Sequence, residues 1–325
     1  MKLPNFDNRQ PPIIIVTGPT ASGKSGLAMQ LADQYPCRLI SVDSSMVYCG
    51  MDIGTAKPSG QELERFPHDL VNIREPQDTY SVGEFVVDAR NAILDARAAG
   101  RIPILVGGTL LYYRGLFQGL AELPKADADL RHEIELDAGR VGWAGLHQRL
   151  ERVDPAAAAA IAINDQQRIQ RALEVYQLTG KPISYWQSQP RSGAVKANVL
   201  KIILSPPQRQ TLHQLIAARS QQMIDSGLVA EVSRLGEIQA EGGPLAIDEL
   251  PAMRAVGYRQ VLEHLRGEIL EVDLAQRITI ATRQLAKRQL TWLRSDPAGV
   301  WLDPGSTKLL KRVAGLVDQH LGCYG

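Results

Sequence analysis

Cysteine is scarce in this chain of 325 residues: Cys37, Cys49 and Cys323 are too few and too scattered for a disulfide framework or a zinc cluster. Reduced thiols of a cytoplasmic protein are therefore expected. Long apolar runs are also missing, and Met1–Pro12 is polar and broken by proline, so neither a membrane span nor a secretory leader is expected. Charge of one sign is missing too. Lys and Arg number 36 against 35 Asp and Glu, a formal balance of +1, so any nucleic-acid binding must rest on a local basic patch. What is present is ordinary for a globular protein: 44% hydrophobic and 22% charged residues, enough for a sizeable core. The length suits one large α/β domain with an insertion, or two modest domains.

Short apolar runs alternate with helix-like segments. Ile13–Val16 is β-branched throughout, the mark of a strand buried on both faces. Similar runs lie at 38–42, 70–73 and 102–106, and later ones at 198–204 and 299–302. Helical patterns at 24–34 and 82–99 fall between them, which points to a parallel sheet with helices on both faces. Between about Leu120 and Gly193 the strand signals stop. An alanine run at 156–160 and helix-like stretches at 130–137 and 166–178 predict an all-helical insertion over 120–195. The core is then assembled from 1–119 and 196–325. Two further long helices are expected at 208–235 and 274–293, separated by a loop around Glu241-Gly-Gly-Pro244. No internal repeat or low-complexity tract is evident.

Directly after the first strand stands Gly18-Pro-Thr20-Ala21-Ser22-Gly23-Lys24-Ser25, which fits G-x-x-x-x-G-K-[ST]. The glycines permit a tight loop whose backbone N–H groups converge on phosphate oxygens. Lys24 adds a point charge, the next helix adds its positive end, and the Ser25 hydroxyl can ligate Mg²⁺. The strand before and the helix after supply the context this motif requires. The loop does not say which phosphate compound binds: a nucleoside triphosphate, a kinase substrate or a diphosphate ester would all fit.

After the second strand the chain reads Asp43-Ser44-Ser45-Met46-Val-Tyr48-Cys-Gly-Met-Asp52-Ile-Gly54-Thr-Ala-Lys57-Pro58. With Gly18–Ser25 this closely resembles bacterial tRNA dimethylallyltransferases. The resemblance continues through Val106-Gly-Gly-Thr109, Gln167-Arg168-Ile-Gln-Arg171, Arg254-Ala-Val-Gly257-Tyr258-Arg259 and Thr282-Arg283 to Arg294. Cys49 stands where the family usually has a basic residue, and Gln166 where proline is common. The resemblance implies a P-loop NTPase-like fold. It also implies Mg²⁺-dependent transfer of a dimethylallyl group from dimethylallyl diphosphate to N6 of adenine 37, beside the tRNA anticodon. The expected partners are that diphosphate and the anticodon stem-loop, with no membrane and no obligate protein partner.

Three tasks follow from such a reaction: neutralising the leaving diphosphate, deprotonating the amine, and excluding water. The phosphate loop, with Lys24 and a Ser25-bound Mg²⁺, answers the first. Arg219 sits where the family places another cation, although a helix arginine can equally be solvated. Asp43, at the carboxyl end of a strand, is placed as the general base. A carboxylate there can also simply cap the following turn. Thr109, after two glycines that let a substrate approach the backbone, would orient the amine or the leaving oxygen. Asp52 and Lys57 belong to a loop read as structural.

RNA contacts are implied at Ser44, Ser45, Met46, Arg131, Gln167, Arg168 and Arg171. They are also implied at Arg254, Gly257, Tyr258 and Arg259, with the Tyr258 ring offered as a stacking surface or, alternatively, packed in the core. The segment 277–294 holds Arg277, Arg283, Lys287, Arg288 and Arg294 and no acidic residue. Arg283, Lys287 and Arg294 share one helix face and can track phosphates. Three rivals remain open: a small-molecule kinase, a prenyltransferase acting on free adenine nucleotide, and an RNA-binding switch without chemistry.

Overall fold

A computed structural model describes residues 12–237, 239–240, 243–244, 247–296 and 298–322. Cys323 and part of the expected 241–244 loop lie outside them. Five strands form early: β1 (Ile13–Thr17), β2 (Cys37–Ser41), β3 (His68–Asp69), β4 (Ile102–Val106) and β5 (Val199–Leu204). With β6 (Val300–Leu302) they make one parallel sheet in the order β3-β2-β4-β1-β5-β6. Five of the six strands lie where the apolar runs predict them. The exception is the run at 70–73. Leu70 and Asn72 take left-handed φ values of 63° and 55°, which no strand tolerates, so pairing ends at Asp69.

Helices α1 (Lys24–Gln34), α2 (Gly60–Arg65), α3 (Val82–Ala98) and α4 (Leu110–Gln118) intervene in the first half. Both α2 and α3 begin with a complete capping box, Ser59 with Glu62 and Ser81 with Glu84. Alternate strand residues turn to opposite faces. Ile14, Val16, Leu39, Ile104 and Ile202 pack with Leu27 and Leu31 of α1 and with Val313 and Val317 of the last helix. On the other face α3 lies against β2 and β4 with Phe85 and Ile93 buried. A phosphate loop between β1 and α1 of such a sheet is the P-loop NTPase-like arrangement.

The remaining helices are α5 (Ala128–Val153, kinked at Gly142), α6 (Pro155–Ala160), α7 (Gln166–Thr179), α8 (Ile183–Ser188), α9 (Arg209–Asp225), α10 (Leu228–Leu235), α11 (Tyr258–Leu265), α12 (Glu271–Arg294) and α13 (Leu309–Gly322). The single helix expected over 208–235 is two, because Gly227 adopts φ 96° between α9 and α10. Contacts divide the chain into two compact units. One is Gln118–Ala194, containing α5 to α8; the other joins the segments ending at Phe117 and beginning at Val195. The helical unit has its own core of Ile134, Leu146, Leu150, Ile169 and Val175. A second core within the larger unit gathers Met51, Leu228, Val232, Tyr258, Val261 and Ile278. Among the described residues no helix is long and apolar enough to cross a membrane.

Candidate active site

The loop from Gly18 to Gly23 leaves the carboxyl end of β1, where a parallel sheet opens a crevice. A Cβ at Gly18 would lie 2.1 Å from the Leu204 carbonyl oxygen, so only glycine lets β5 approach. Ala21 and Gly23 hold φ values of 64° and 79°. Left-handed residues of this kind turn successive N–H groups to one side and build an anion nest. The Ser22 hydroxyl is buried in this loop without a hydrogen-bond partner among the described residues. An orphan of that kind is costly unless a ligand completes it.

Lys24 and Arg219 line the same cavity of about 270 Å³, together with Ser25 and Asp43. The Lys24 ammonium donates to the Pro19 carbonyl at 2.8 Å. Burial, then the neighbouring Arg219 guanidinium, lower its pKa to about 8, against the opposing pull of Asp43. Burial likewise lowers Arg219, again opposed by Asp43. Two cations held close with a single carboxylate beside them form a site short of negative charge, which a polyanion would supply. Arg219 is thus a half-buried cation at the cavity and not a solvated helix arginine.

Asp43 follows β2 and uses one oxygen locally. Its Oδ1 accepts from the backbone N–H of Ser45 at 2.8 Å and of Met46 at 3.3 Å. Oδ2 accepts no hydrogen bond among the described residues, so the turn cap orients the carboxylate and leaves one oxygen available. Thr109 stands beside it: the Ser44 backbone N–H donates to Thr109 Oγ1 at 3.1 Å. Of the glycines before Thr109, Gly107 is required by space, whereas Gly108 meets the end of a side chain. A Cβ on Gly107 would meet the Val42 carbonyl oxygen at 2.1 Å, and one on Gly108 would meet Gln289 Nε2 at 2.5 Å. Met46 and Ser45 line the cavity wall.

The oxygen donors of this cavity suit a hard cation held mainly by its phosphate ligand. Ser25 makes no side-chain hydrogen bond among the described residues, and no group of three His, Cys, Asp or Glu side chains clusters there to form an all-protein cage. Mg²⁺ typically takes one or two protein oxygens and completes its shell with phosphate and water.

The residues expected to contact RNA separate into free and engaged groups. Lys287, Arg288 and Arg294 are exposed on α12 and form no ion pair among the described residues. Lys287 and Arg288 border a shallow depression with Gln284, Thr291 and Trp292. Arg283 is half-buried, with its Nε lacking a hydrogen-bond partner among the described residues. Arg254 is exposed, and Arg259 pairs loosely with Glu263 at 3.7 Å. Within the helical unit Gln167 is exposed and the Arg168 side chain is 70% exposed.

One expectation is corrected, and two expected RNA contacts are engaged within the protein. Tyr258 is 0% exposed and donates its hydroxyl to Glu231 at 2.6 Å, while its ring packs on Gly54, so it offers no face for base stacking. Arg131 and Arg171 are each held by an ion pair while part of each side chain stays exposed. Both ion-pair with Glu174, which is wholly buried: Arg131 is bidentate at 2.9 and 3.2 Å, and Arg171 lies at 2.6 Å while also donating to the Pro124 carbonyl. One carboxylate thus neutralises half of their charge.

Sequence reading also missed two residues. Gln289 of α12 clasps the phosphate loop: its Oε1 accepts from Thr20 N–H at 2.9 Å and its Nε2 donates to the Gly108 carbonyl at 2.9 Å. Its place inside a basic helix hid it, because the contacts span the length of the chain. Glu231 was missed as well. Its signal is a lone acid on the apolar face Leu228, Val232, Leu235 of α10.

Comparison with known proteins agrees with this arrangement. Residues 46–296 match the family described as IPP transferase. The chain is 48% identical to tRNA dimethylallyltransferase 2 of Hahella chejuensis, over 97% of this chain and 98% of that one. It is 50% identical to the tRNA dimethylallyltransferase of Thiobacillus denitrificans, over 96% and 98% respectively. Among solved structures, the tRNA isopentenylpyrophosphate transferase of Bacillus halodurans superposes with a TM-score of 0.68 at 33% identity, covering 96% of this chain and 97% of that one. A eukaryotic dimethylallyltransferase acting on tRNA gives 0.78 at 27% identity, covering 96% and 80%. With a family match over most of its length and relatives near half identity across nearly all of it, this chain belongs to the IPP transferase family.

Proposed function

We propose that the chain transfers the dimethylallyl group of dimethylallyl diphosphate to N6 of adenine 37 of tRNA, giving N6-isopentenyladenosine and diphosphate. The observation that carries this reading is the shared cavity. It brings Lys24, Arg219 and the phosphate loop together with Asp43, which keeps one carboxylate oxygen without a hydrogen bond among the described residues. The relatives are named for this activity on tRNA, which supports the same assignment here.

In the proposed reaction the bond from adenine N6 to the allylic carbon forms as the bond from that carbon to the diphosphate oxygen breaks. The N6 proton passes to Asp43. An exocyclic adenine amine is a poor nucleophile, so a carboxylate held within hydrogen-bond reach is the natural base. The turn cap on Oδ1 fixes where Oδ2 points. Lys24, Arg219 and the loop N–H groups take up the negative charge that develops on the leaving group. Thr109 orients the amine or the leaving oxygen from its place beside Ser44. Mg²⁺, held by the Ser25 hydroxyl, would add a further positive charge at the diphosphate. The target base must leave its stack to reach the cavity, which costs least in an unpaired loop. Lys287, Arg288, Arg294, Arg254 and Arg168 contact RNA phosphates.

The test is incubation of the protein with Mg²⁺, labelled dimethylallyl diphosphate and unmodified tRNA. Free AMP and a tRNA with guanine at position 37 serve as parallel acceptors. Label entering only the tRNA with adenine 37 is expected. Transfer to AMP moves the reading to the nucleotide-acceptor class, ATP turnover without transfer moves it to a kinase, and RNA binding without any chemistry moves it to a switch.

A further inference from the structure

The apolar face of α10 is interrupted by Glu231, which is only 3% exposed. A carboxylate survives such burial when its oxygens are fully bonded. Four donors meet this one. The backbone N–H groups of Asp52 and Ile53 donate to Oε2 at 3.0 and 2.8 Å. Gly54 N–H donates to Oε1 at 3.2 Å, and the Tyr258 hydroxyl reaches the same oxygen at 2.6 Å. Three consecutive amides turned onto one anion fix the conformation of the segment that supplies them.

That segment leads straight to the cavity. The next residue, Thr55, offers its carbonyl to Arg219 Nη2 at 3.3 Å, the one hydrogen bond that the Arg219 side chain makes among the described residues. Gly54, Thr55 and Ala56 line the cavity. A Cβ on Gly54 would lie 2.4 Å from the Tyr258 ring, so ring and segment are in direct contact. At the far end Lys57, almost wholly buried, donates to Asp52 Oδ1, the Tyr48 carbonyl and Asn72 Oδ1. The segment from Asp52 to Lys57 is thus held by a buried anion on one side and a buried cation on the other.

We propose that Glu231 and Tyr258 are positioning residues for Arg219: by holding residues 52–54 they place the Thr55 carbonyl that aims the guanidinium into the phosphate cavity. The inference rests on the reading that Arg219 binds diphosphate. Neither residue acts as an acid or base, since every oxygen of Glu231 is already occupied by donors and the Tyr258 hydroxyl is committed to it.

The test is a calorimetric titration of the full chain with inorganic pyrophosphate and Mg²⁺, with melting curves for each variant. Tyr258→Phe removes one donor and keeps the ring against Gly54. Glu231→Gln replaces one accepting oxygen with an amide that faces N–H donors. Tyr258→Phe is expected to weaken pyrophosphate binding about threefold to tenfold, and Glu231→Gln more. RNA affinity should stay unchanged in both. In an Arg219→Ala background the Tyr258→Phe effect should shrink below about twofold, because coupled residues are not additive.

A folded Tyr258→Phe protein that binds pyrophosphate like the wild type overturns the proposal. So does a loss of the same size with and without Arg219, which marks a general structural effect. Should Glu231→Gln fail to fold, Tyr258→Phe still decides. An Arg219→Ala protein with unaltered pyrophosphate affinity removes the premise and the proposal together. Absence of prenyl transfer by a wild type that does bind pyrophosphate counts against the proposed reaction alone.

Discussion

A lysine enclosed beside an arginine holds its proton less tightly than one in water, and burial followed by Arg219 brings Lys24 to about 8. A bound diphosphate supplies the missing counter-charge and raises the pKa again. The sign follows: below about pH 8 the free protein already carries the proton and affinity is full. Above it, binding must take up a proton, and affinity falls by about tenfold per pH unit until the bound-state pKa is reached. Pyrophosphate titrations at pH 7, 8 and 9 check this, and equal affinities at pH 7 and 9 contradict it. The placement of Lys24, Ser25 and Asp43 at one cavity was legible in the sequence because it depends on neighbours a few residues away: a loop, a helix start, a strand end. Tyr258 and Arg131 were not. Their partners, Glu231 and Glu174, lie tens of residues distant, and no local pattern distinguishes a tyrosine that stacks on a base from one that packs on a glycine.

Elements behave likewise. Strands β1 and β4 were readable from apolar runs because strands buried on both faces admit little else, and β2, β5 and β6 were readable from similar runs that are only partly buried. The run at 70–73 failed through two left-handed residues that composition does not reveal, and the 208–235 helix failed through one glycine. Helix α12 has opposite duties on its two sides. Ala286 packs with Leu212 and Ile216 of α9, and Gln289 holds the phosphate loop. Lys287 and Arg288 are exposed and form no ion pair among the described residues. Replacing these two by alanine should therefore weaken RNA binding and reduce its salt slope by about one per lost phosphate contact, with pyrophosphate affinity unchanged. Filter binding between 50 and 200 mM salt reads this; an unaltered slope removes Lys287 and Arg288 from the proposed RNA surface.

Within the helical unit, burial tends to raise Glu174, but bonds from Arg131, Arg171 and the Asp127 N–H outweigh it and hold its carboxyl below the usual range. A lowered carboxylate contributes stability that is complete above its unfolded pKa and is lost as pH falls through the folded one. Glu174→Gln should cost about 2 kcal/mol near neutral pH, below the figure for a fully enclosed pair because both arginines remain partly exposed. The deficit should narrow below about pH 4, where the wild type loses the same interaction. Thermal melts of both proteins at pH 7 and pH 3.5 decide the matter, and a deficit independent of pH assigns the loss to packing instead.

At the scale of the whole molecule, a parallel sheet delivers the phosphate loop after β1, Asp43 after β2 and Thr109 after β4 to one end of the sheet, and α9 and α12 add Arg219 and Gln289 there. The order of these segments along the chain was legible; their convergence rests on the sheet order β2-β4-β1, which no single motif encodes. Family membership and the shared cavity make the central claim specific: one carboxylate oxygen deprotonates one adenine amine beside a bound diphosphate. Asp43→Asn keeps an oxygen to accept from Ser45 and Met46, so the turn should persist while the base is lost. The direct measurement is single-turnover prenyl transfer to unmodified tRNA by the wild type and by Asp43→Asn, with the product nucleosides identified by mass. Prenylated adenosine from position 37 with the wild type, and a rate lowered about a hundredfold or more in the variant with RNA and pyrophosphate affinities intact, is the expected result. Transfer by Asp43→Asn at the wild-type rate contradicts the assignment of Asp43 as the base.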